Sequence, residues 1–273
     1  MASQSEKYHA FRELHCRSRA FVIPNPWDAG TARILAALGF EALATTSAGF
    51  AFSTGRRDSA GAISRAEILQ NARSIVEAAD LPVSADLEDG FGTDPVTCAE
   101  TILMAAEAGL VGGSIEDATG NPADPIFTFS LAVDRVAAAA EEAHRHPFIL
   151  TARADNFLHG RPDLDDTIRR LQAFEKAGAD VLYAPGLPSL DAIRTVCASV
   201  SRPVNVVMGL AGRAFSVAEL EAVGVKRISV GGSFARAALG GFIRAAREVR
   251  DHGTFTYAEE AISDREASSY MQG

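Results

Sequence analysis

Residues 82–118 read PVSADLEDGFGTDPVTCAETILMAAEAGLVGGSIEDA and contain the repeating unit that decides the fold. An apolar run at 82–88 is followed by a stretch with helical periodicity and then by a second apolar run at 112–118. Gly109 separates the helical stretch from the second run, and glycine readily adopts the left-handed conformation that ends a helix. The stretch therefore predicts a strand, a helix and a second strand.

The same unit recurs along the chain. Further apolar runs rich in Val, Ile and Leu stand at 21–25, 42–47, 148–154, 181–186, 203–209 and 227–232. The Ala-rich ends of helical stretches likewise run into Gly39, Gly178 and Gly224. About eight such units favour a closed parallel (β/α)8 barrel, the TIM-type α/β fold, over its competitor, a doubly wound open sheet. The 273 residues suit one large core, so we predict a single domain over 1–273, with residues after about 250 as a C-terminal arm.

The composition indicates a small-molecule partner. The formal net charge of −9 would repel nucleic acid and anionic membrane surfaces. Cys16, Cys98 and Cys197 are scattered and form no CxxC pair, which is typical of a reducing cytoplasm rather than of a disulfide framework or a zinc knuckle. The N-terminus has no apolar core resembling a signal peptide, and no apolar stretch approaches the roughly 20 residues of a membrane span. We therefore expect a cytoplasmic protein that binds no nucleic acid and no membrane.

Acidic residues stand at the ends of apolar runs. Asp86 and Glu88 are two apart and so should share one face of their strand, Glu116 ends the next run, and Asp58 stands in a loop. The carboxyl ends of parallel barrel strands meet at one mouth, where the chemistry takes place. Converging carboxylates repel one another and raise each other's pKa, so a bound Mg²⁺ or Mn²⁺ ion is the simplest compensation for an oxygen-only ligand set. For each acid taken singly, a solvated strand end or a partner of arginine is the alternative.

A basic residue also ends one of the runs. Arg153 closes the run at 148–154, and a guanidinium opposite a metal ion suits a carboxylate or dianionic substrate. The alternative role for Arg153 is a structural salt bridge to Asp155 or Glu116.

Small and aromatic residues add candidate substrate contacts at the mouth. The turn Ser47-Ala48-Gly49 offers backbone N–H groups and a hydroxyl that could hold a carboxylate or an oxyanion. Trp27 follows the first run, where lining the pocket and packing are equally good explanations, and Asn205 lies in the run at 203–209. The segment 231–233, Gly-Gly-Ser, resembles a phosphate cradle, although a tight barrel-closing turn explains it as well.

From about Phe21 to about Phe242 the chain resembles the isocitrate lyase and phosphoenolpyruvate mutase superfamily. The resemblance rests on NPWDAGTAR at 25–33, TSAGF at 46–50, DLEDGFG at 86–92, SIED at 114–117 and ARAD at 152–155. The third segment is the most specific, because the family pattern there is Asp-x-Asp-x-Gly-Tyr-Gly. The resemblance implies a (β/α)8 barrel in a homodimer or homotetramer whose C-terminal helices exchange between subunits.

The resemblance also implies a metal centre. It implies that Asp86 binds Mg²⁺ directly, with Asp58, Glu88 and Glu116 holding the ion largely through water. Arg153 supplies positive charge, and with Asp58 and Glu116 it completes the expected catalytic set.

For the substrate, the resemblance implies that Ser47, Ala48 and Gly49 bind a 2-oxo-carboxylate end. Members of this superfamily act on 2-oxo or 2-hydroxy acids through a metal-bound enolate of pyruvate, and they break or make a C–C or a P–C bond. A divalent cation and an arginine are what a developing enolate needs.

Two departures from the family pattern narrow the function. Glu88 stands where the family commonly has Asp. The lyase branch carries Lys-(Lys/Arg)-Cys-Gly-His in a gating loop where this chain reads ATGNPADP at 118–125, so the catalytic cysteine is absent. The lysine of the mutase branch's Lys-x-Asn segment is missing as well.

The leading hypothesis is a Mg²⁺-dependent lyase that cleaves a small 2-oxo or 2-hydroxy diacid by decarboxylation or retro-aldol chemistry, with the loop around 118–130 as its lid. Three alternatives stay open: a P–C bond mutase or hydrolase, a metabolite-binding barrel without turnover, and a phospho-sugar barrel that uses 231–233 as its phosphate site.

Overall fold

The computed structural model describes residues 1–59, 61–210 and 212–271. Eight parallel strands form one sheet in the order β1-β8-β7-β6-β5-β4-β3-β2. Between the two end strands of this order, the N–H of Ala44 donates to the carbonyl of Pro24 at 2.9 Å. The predicted barrel is therefore confirmed, and the open sheet is excluded. The strands are β1 (Phe21–Ile23), β2 (Leu43–Ala44), β3 (Val83–Asp86), β4 (Gly112–Glu116), β5 (Ile149–Arg153), β6 (Val181–Tyr183), β7 (Val204–Val207) and β8 (Arg227–Ser229).

Helices alternate with the strands and surround the barrel. They are α1 (Gln4–Cys16), α2 (Ala29–Ala37), α3 (Ser47–Ser53), α4 (Arg65–Ala78), α5 (Pro95–Glu107), α6 (Phe129–Ala143), α7 (Leu164–Lys176), α8 (Leu190–Ser199), α9 (Val217–Ala222), α10 (Ser233–His252) and α11 (Asp264–Tyr270). Within the described ranges, no helix is both long and apolar enough to cross a membrane.

The helix ends follow from local sequence. Asp94 caps α5 by accepting a hydrogen bond from the N–H of Thr97 at 2.9 Å, and Pro95 occupies the first helical position, where its missing N–H costs nothing. After α5, Gly109 has a φ of 90°, a left-handed conformation that glycine adopts without steric cost. The cap and the proline fix where α5 begins, and the glycine lets the chain turn from the end of α5 into β4.

Helix α1, which the sequence did not predict, closes the bottom of the barrel. Its residues Phe11 and Leu14 are buried against the first residues of the strands, including Phe21, Ile149 and Val181. A capping box of Ser3 and Glu6 begins α1 and is the signal that would have revealed it.

The predicted C-terminal arm folds back on the barrel. After α10 the chain forms a short 3-10 helix, Thr256–Glu259, and then α11, which packs beside α2. The Arg33 guanidinium on α2 donates to the backbone carbonyl of Met271. On α10, Phe242 is 71% exposed, so an aromatic side chain faces outward from this helix.

Close packing around the sheet predicts the effect of one glycine substitution. A Cβ on Gly113 of β4 would lie 2.6 Å from Leu87 Cδ1 and 2.9 Å from Phe148 Cζ, in a buried setting where neither side chain can move freely. Gly113→Ala is expected to lower the free energy of unfolding by about 1–3 kcal/mol, measured by urea denaturation. Gly240→Ala on α10 is the control, because its nearest neighbour is the end of a flexible arginine at 3.4 Å and alanine favours the helix. Equal stability of Gly113→Ala and wild type would contradict this account of the packing.

Candidate active site

A cavity of about 630 Å³ opens at the carboxyl ends of the strands. The side chains of Asp58, Asp86, Glu88, Glu116 and Arg153 all line it. These are the four predicted metal ligands and the predicted cationic residue. The barrel thus brings together, at one mouth, acids that are up to 58 positions apart in the sequence.

Asp86 lies at the centre of the hydrogen bonds in this cavity. Its Oδ2 accepts from the hydroxyl of Ser47 at 2.9 Å, and its Oδ1 accepts from Nη1 of Arg153 at 3.3 Å. The N–H of Asp86 donates to Thr45 Oγ1 at 3.0 Å. A hydroxyl on one side and a guanidinium on the other fix the Asp86 carboxylate at the end of β3.

Arg153 contacts two further acids. Its Nη2 lies 2.9 Å from Glu116 Oε2 and 2.8 Å from Asp155 Oδ2, and its Nε donates to Asp155 Oδ1 at 3.2 Å. Both salt bridges considered as alternatives for Arg153 are therefore present. Burial opposes the charged form, but Asp155 and Glu116 outweigh it and hold the pKa of Arg153 well above its usual range. The guanidinium also lies 5.1 Å from the centre of the Tyr183 ring.

Negative charge dominates the cavity. Six carboxylates line it and face one arginine. Burial, followed by repulsion from Asp86, raises the pKa of Asp58, and the same two causes raise the pKa of Glu88 to about 8. Burial also raises the pKa of Glu116 well above its ordinary value, against the effect of Arg153. A bound cation would remove the repulsion that this wall carries.

The carboxylates suit a hard divalent cation. No three Asp, Glu, His or Cys side chains of residues 1–59, 61–210 and 212–271 are grouped closely enough to hold a metal ion by themselves. Mg²⁺ commonly binds through one or two carboxylates and keeps several waters, so a looser ring of acids is compatible with it. The oxygen-only donors and their uncompensated charge fit Mg²⁺ or Mn²⁺ better than zinc.

Glu88 reaches the cavity for a different reason from the one the sequence indicated. The spacing of Asp86 and Glu88 predicted one face of a strand, but β3 ends at Asp86 and Glu88 has a φ of 49°. Phe91, three residues on, has a φ of 61°. Such left-handed backbone is costly for residues other than glycine and is typical of functional loops.

Hydrogen bonds from other parts of the chain and within the loop hold this strained loop in place. The carbonyl of Glu88 accepts from the N–H of Glu116 at 3.0 Å, and the carboxylate of Asp89 accepts from the N–H of Phe91 at 2.9 Å. Arg135 of α6, only 1% exposed, donates to the backbone carbonyls of Asp89 and Gly92. The guanidinium of a distant helix therefore supports the conformation that directs Glu88 toward the mouth.

Not every predicted substrate contact lies in this cavity. Ser47 and Ala48 do, although they form the first turn of α3 rather than an irregular turn. Trp27 and Gly49 instead line a separate apolar pocket of about 190 Å³ beside Phe242 of α10. Asn205 is 1% exposed and lies deeper in the barrel, where it bonds to other buried residues.

The cavity also contains residues that the sequence did not identify as substrate or metal contacts. Tyr183 ends β6, Asp155 follows β5, and His159 stands in the loop after β5. Tyr183 had the same signal as Arg153, a polar residue at the end of an apolar run. Burial raises the pKa of Tyr183 to about 12, so its hydroxyl remains protonated at neutral pH.

Two neighbouring loops, which follow the paired strands β4 and β5, border the opening. In the first, the N–H of Thr119 donates to the carbonyl of Pro125 at 2.9 Å, which ties the segment 119–125 into a compact turn. In the second, Arg161 lies 3.5 Å from the Asp124 carboxylate of the first loop. The loop predicted as a lid therefore borders the mouth, and an exposed ion pair joins it to the neighbouring loop.

The (β/α)8 barrel, with a carboxylate-lined mouth around one partly buried arginine, has the architecture of a barrel enzyme. The chain belongs to the phosphoenolpyruvate phosphomutase family, whose model matches residues 11–250. The superfamily resemblance is thereby confirmed, and members of this superfamily are lyases or mutases.

Three similar proteins illustrate the range of this family. A crystal structure from Burkholderia cenocepacia J2315, assigned in general terms as a lyase/mutase, superposes with a TM-score of 0.96 at 57% identity and covers 99% of this chain and 97% of that chain. The 2,3-dimethylmalate lyase of Eubacterium barkeri is 28% identical over 78% of this chain and 75% of its own length. The oxaloacetate decarboxylase of Pseudomonas entomophila (strain L48) is 26% identical over 76% of this chain and 72% of its own length.

Proposed function

We propose that this protein is a Mg²⁺-dependent lyase that cleaves a C–C bond, by decarboxylation or retro-aldol chemistry, in a small 2-oxo or 2-hydroxy diacid. The observation that carries the proposal is the mouth cavity, in which six carboxylates face a single arginine. Such a wall repels a free dianionic substrate unless a cation is bound first. Relatives named as a dimethylmalate lyase and an oxaloacetate decarboxylase support the substrate class.

The residues around Asp86 would orient one end of the substrate. Asp86 would hold the ion, with Asp58, Glu88 and Glu116 around it, and when bound the ion supplies positive charge at the oxygens of the 2-oxo-carboxylate end. The N–H of Ala48 makes no hydrogen bond within the described chain, so it is free to donate to a substrate carboxylate.

Arg153 would stabilise negative charge as the bond breaks. Its guanidinium borders the cavity beside Asp86, and three carboxylates hold it in place. A rigid, permanently charged group needs no rearrangement when charge develops on the substrate. The loops at 119–125 and 155–161 would exclude water from the reacting bond when they close.

A P–C bond reaction is the second candidate function, because the matching family model is that of phosphoenolpyruvate phosphomutase. The absence of the mutase-branch lysine from 118–125 disfavours it relative to C–C cleavage.

We also propose a homodimer or homotetramer. The outward side of α10 carries Leu239, Phe242 and Ile243 at 39%, 71% and 43% exposure, an apolar surface suited to a second subunit. Light scattering at micromolar concentration tests this, and a monomer would refute it.

The function is tested with a panel of substrates. The protein with MgCl₂ is incubated with oxaloacetate, 2,3-dimethylmalate or phosphonopyruvate, and products are followed by ¹H and ³¹P NMR. The expected result is pyruvate from one of the diacids, at a rate above that of Mg²⁺ alone and abolished by EDTA. Turnover of phosphonopyruvate alone would establish the second candidate, and binding of oxalate without turnover of any acid would indicate a metabolite-binding barrel.

A further inference from the structure

A second, smaller cavity of about 70 Å³ lies inside the barrel. Its wall shares Asp86, Arg153 and Tyr183 with the mouth cavity, so the two spaces adjoin. Unlike the mouth, it extends inward to Arg227, the first residue of β8, and to Ile23, which belongs to the same buried cluster as Phe11 of α1. We call it the inner cavity.

Arg227 places a buried positive charge at the inner cavity. The residue is 5% exposed and belongs to no salt bridge in the described part of the chain. Nε donates to Asn205 Oδ1 at 2.8 Å, Nη2 donates to Thr151 Oγ1 at 2.9 Å, and Nη1 lies 3.5 Å from His15 Nε2. None of these partners carries a negative charge. A buried ion without a counterion is strongly unfavourable.

At neutral pH the Arg227 guanidinium is positively charged and the neighbouring His15 ring is neutral. Burial lowers the pKa of Arg227 only to about 10, so its guanidinium stays protonated. Burial and the neighbouring Arg227 lower the pKa of His15 to about 3, so its ring stays neutral. The positive charge of Arg227 therefore persists without local compensation.

The inner cavity and the mouth differ in the sign of their charge. The charged residues in the inner wall are Arg153, Arg227 and Asp86, which leaves one net positive charge. Asp86 is already engaged by Ser47 and Arg153 at the mouth side. The mouth has six carboxylates to one arginine and suits a cation, whereas the inner cavity suits an anion.

Free hydrogen-bond donors complete the inner wall. The hydroxyls of Ser84 and Ser114 line it and donate to no other residue among those described. Ser114 is the strand neighbour of Thr151, which accepts from Arg227. A single water needs roughly 10–15 Å³ of such space, so the inner cavity has room for a group of several heavy atoms.

We propose that the inner cavity is a binding site for a small monovalent anion, a halide or a carboxylate group, held by Arg227 and the hydroxyls of Ser84 and Ser114. A bound anion would supply the negative charge that compensates the positive charge of Arg227. Because anion binding is measured without turnover, the proposal stands apart from the proposed function.

Bromide and formate are suitable probes. In crystals of the wild-type protein grown with sodium bromide, an anomalous peak is expected in the inner cavity beside Arg227. In solution, sodium formate is expected to raise the Tm of the metal-free protein above its value in sodium gluconate of equal ionic strength, because gluconate is too large to enter. Arg227→Met should weaken formate binding by roughly tenfold to a hundredfold, the loss expected for a charged hydrogen bond.

Two further variants complete the test. Arg202→Met removes an exposed arginine and should leave the formate effect unchanged. Ser114→Ala is a smaller change that should weaken formate binding by about threefold to tenfold. It replaces Arg227→Met in the test if the Arg227→Met protein does not fold. Bromide confined to the protein surface, or equal formate effects in wild type and every inner-cavity variant that folds, would overturn the proposal.

The source of the anion is distinguished by adding oxalate and MgCl₂ to the bromide crystals. Loss of the inner bromide peak would show that a carboxylate of the active-site ligand occupies the inner cavity. Retention of the peak would show an independent anion site.

Discussion

Asp86→Asn is expected to reduce kcat/KM by about 10³-fold or more, measured with saturating MgCl₂ on whichever diacid the panel identifies. The substitution keeps the shape of the side chain but removes the negative charge that we propose binds a metal ion. It also turns an acceptor that faces both Ser47 and Arg153 into a group with one acceptor oxygen. The mouth would thereby lose the residue on which its hydrogen bonds converge.

The matched control for this variant is Asp94→Asn. Asp94 caps α5 outside the cavity, and asparagine caps a helix about as well as aspartate does. Asp94→Asn should therefore keep wild-type activity and Tm. An Asp86→Asn enzyme that retains activity within about threefold of wild type would remove Asp86 from the catalytic machinery.

Arg153→Met is expected to have two large effects. It leaves Asp155, which is 1% exposed, and Glu116 without their cationic partner, so the free energy of unfolding should fall by about 3–5 kcal/mol. It also removes the group that we propose stabilises negative charge on the substrate, so kcat should fall by about 10²-fold to 10³-fold. Urea denaturation measures the first effect, and steady-state kinetics on the folded fraction measures the second.

Two controls separate these effects. Arg161→Met breaks an exposed ion pair with Asp124 and should cost less than about 1 kcal/mol. Arg153→Lys keeps a charge but lacks the fork that contacts three carboxylates, so it should recover part of the stability and little of the activity. Full activity in a stably folded Arg153→Met enzyme would assign Arg153 a purely structural role.

The sequence predicted the barrel because its signals are local and repeated. Each apolar run with a polar end, followed by a helix and a glycine such as Gly109 or Gly178, specifies one unit without reference to the others. The same rule located Asp86, Glu116 and Arg153, since the end of a parallel strand always faces the mouth. Helix α1 was not predicted, because it precedes the first strand–helix unit and so follows no strand.

The parts of the site that could not be predicted depend on distant residues. Glu88 enters the cavity through a left-handed backbone that Arg135, more than forty residues later, helps to hold. Asn205 looked like a mouth residue but bonds to Arg227, because the depth at which a strand residue sits depends on strand register. Trp27 lines a pocket together with residues of α10, and no local pattern around Trp27 indicates that these residues lie beside it.

We propose that the carboxylate mouth binds a divalent cation together with the 2-oxo-carboxylate end of a substrate. Isothermal titration calorimetry with oxalate, which mimics the enolate of pyruvate, tests it most directly. Oxalate is titrated into wild type and Asp86→Ala with MgCl₂, and into wild type with EDTA. We expect saturable binding of oxalate to the wild-type protein only when Mg²⁺ is present, and no binding to Asp86→Ala. Oxalate binding that is independent of Mg²⁺ or of Asp86, or no binding at all, would contradict it.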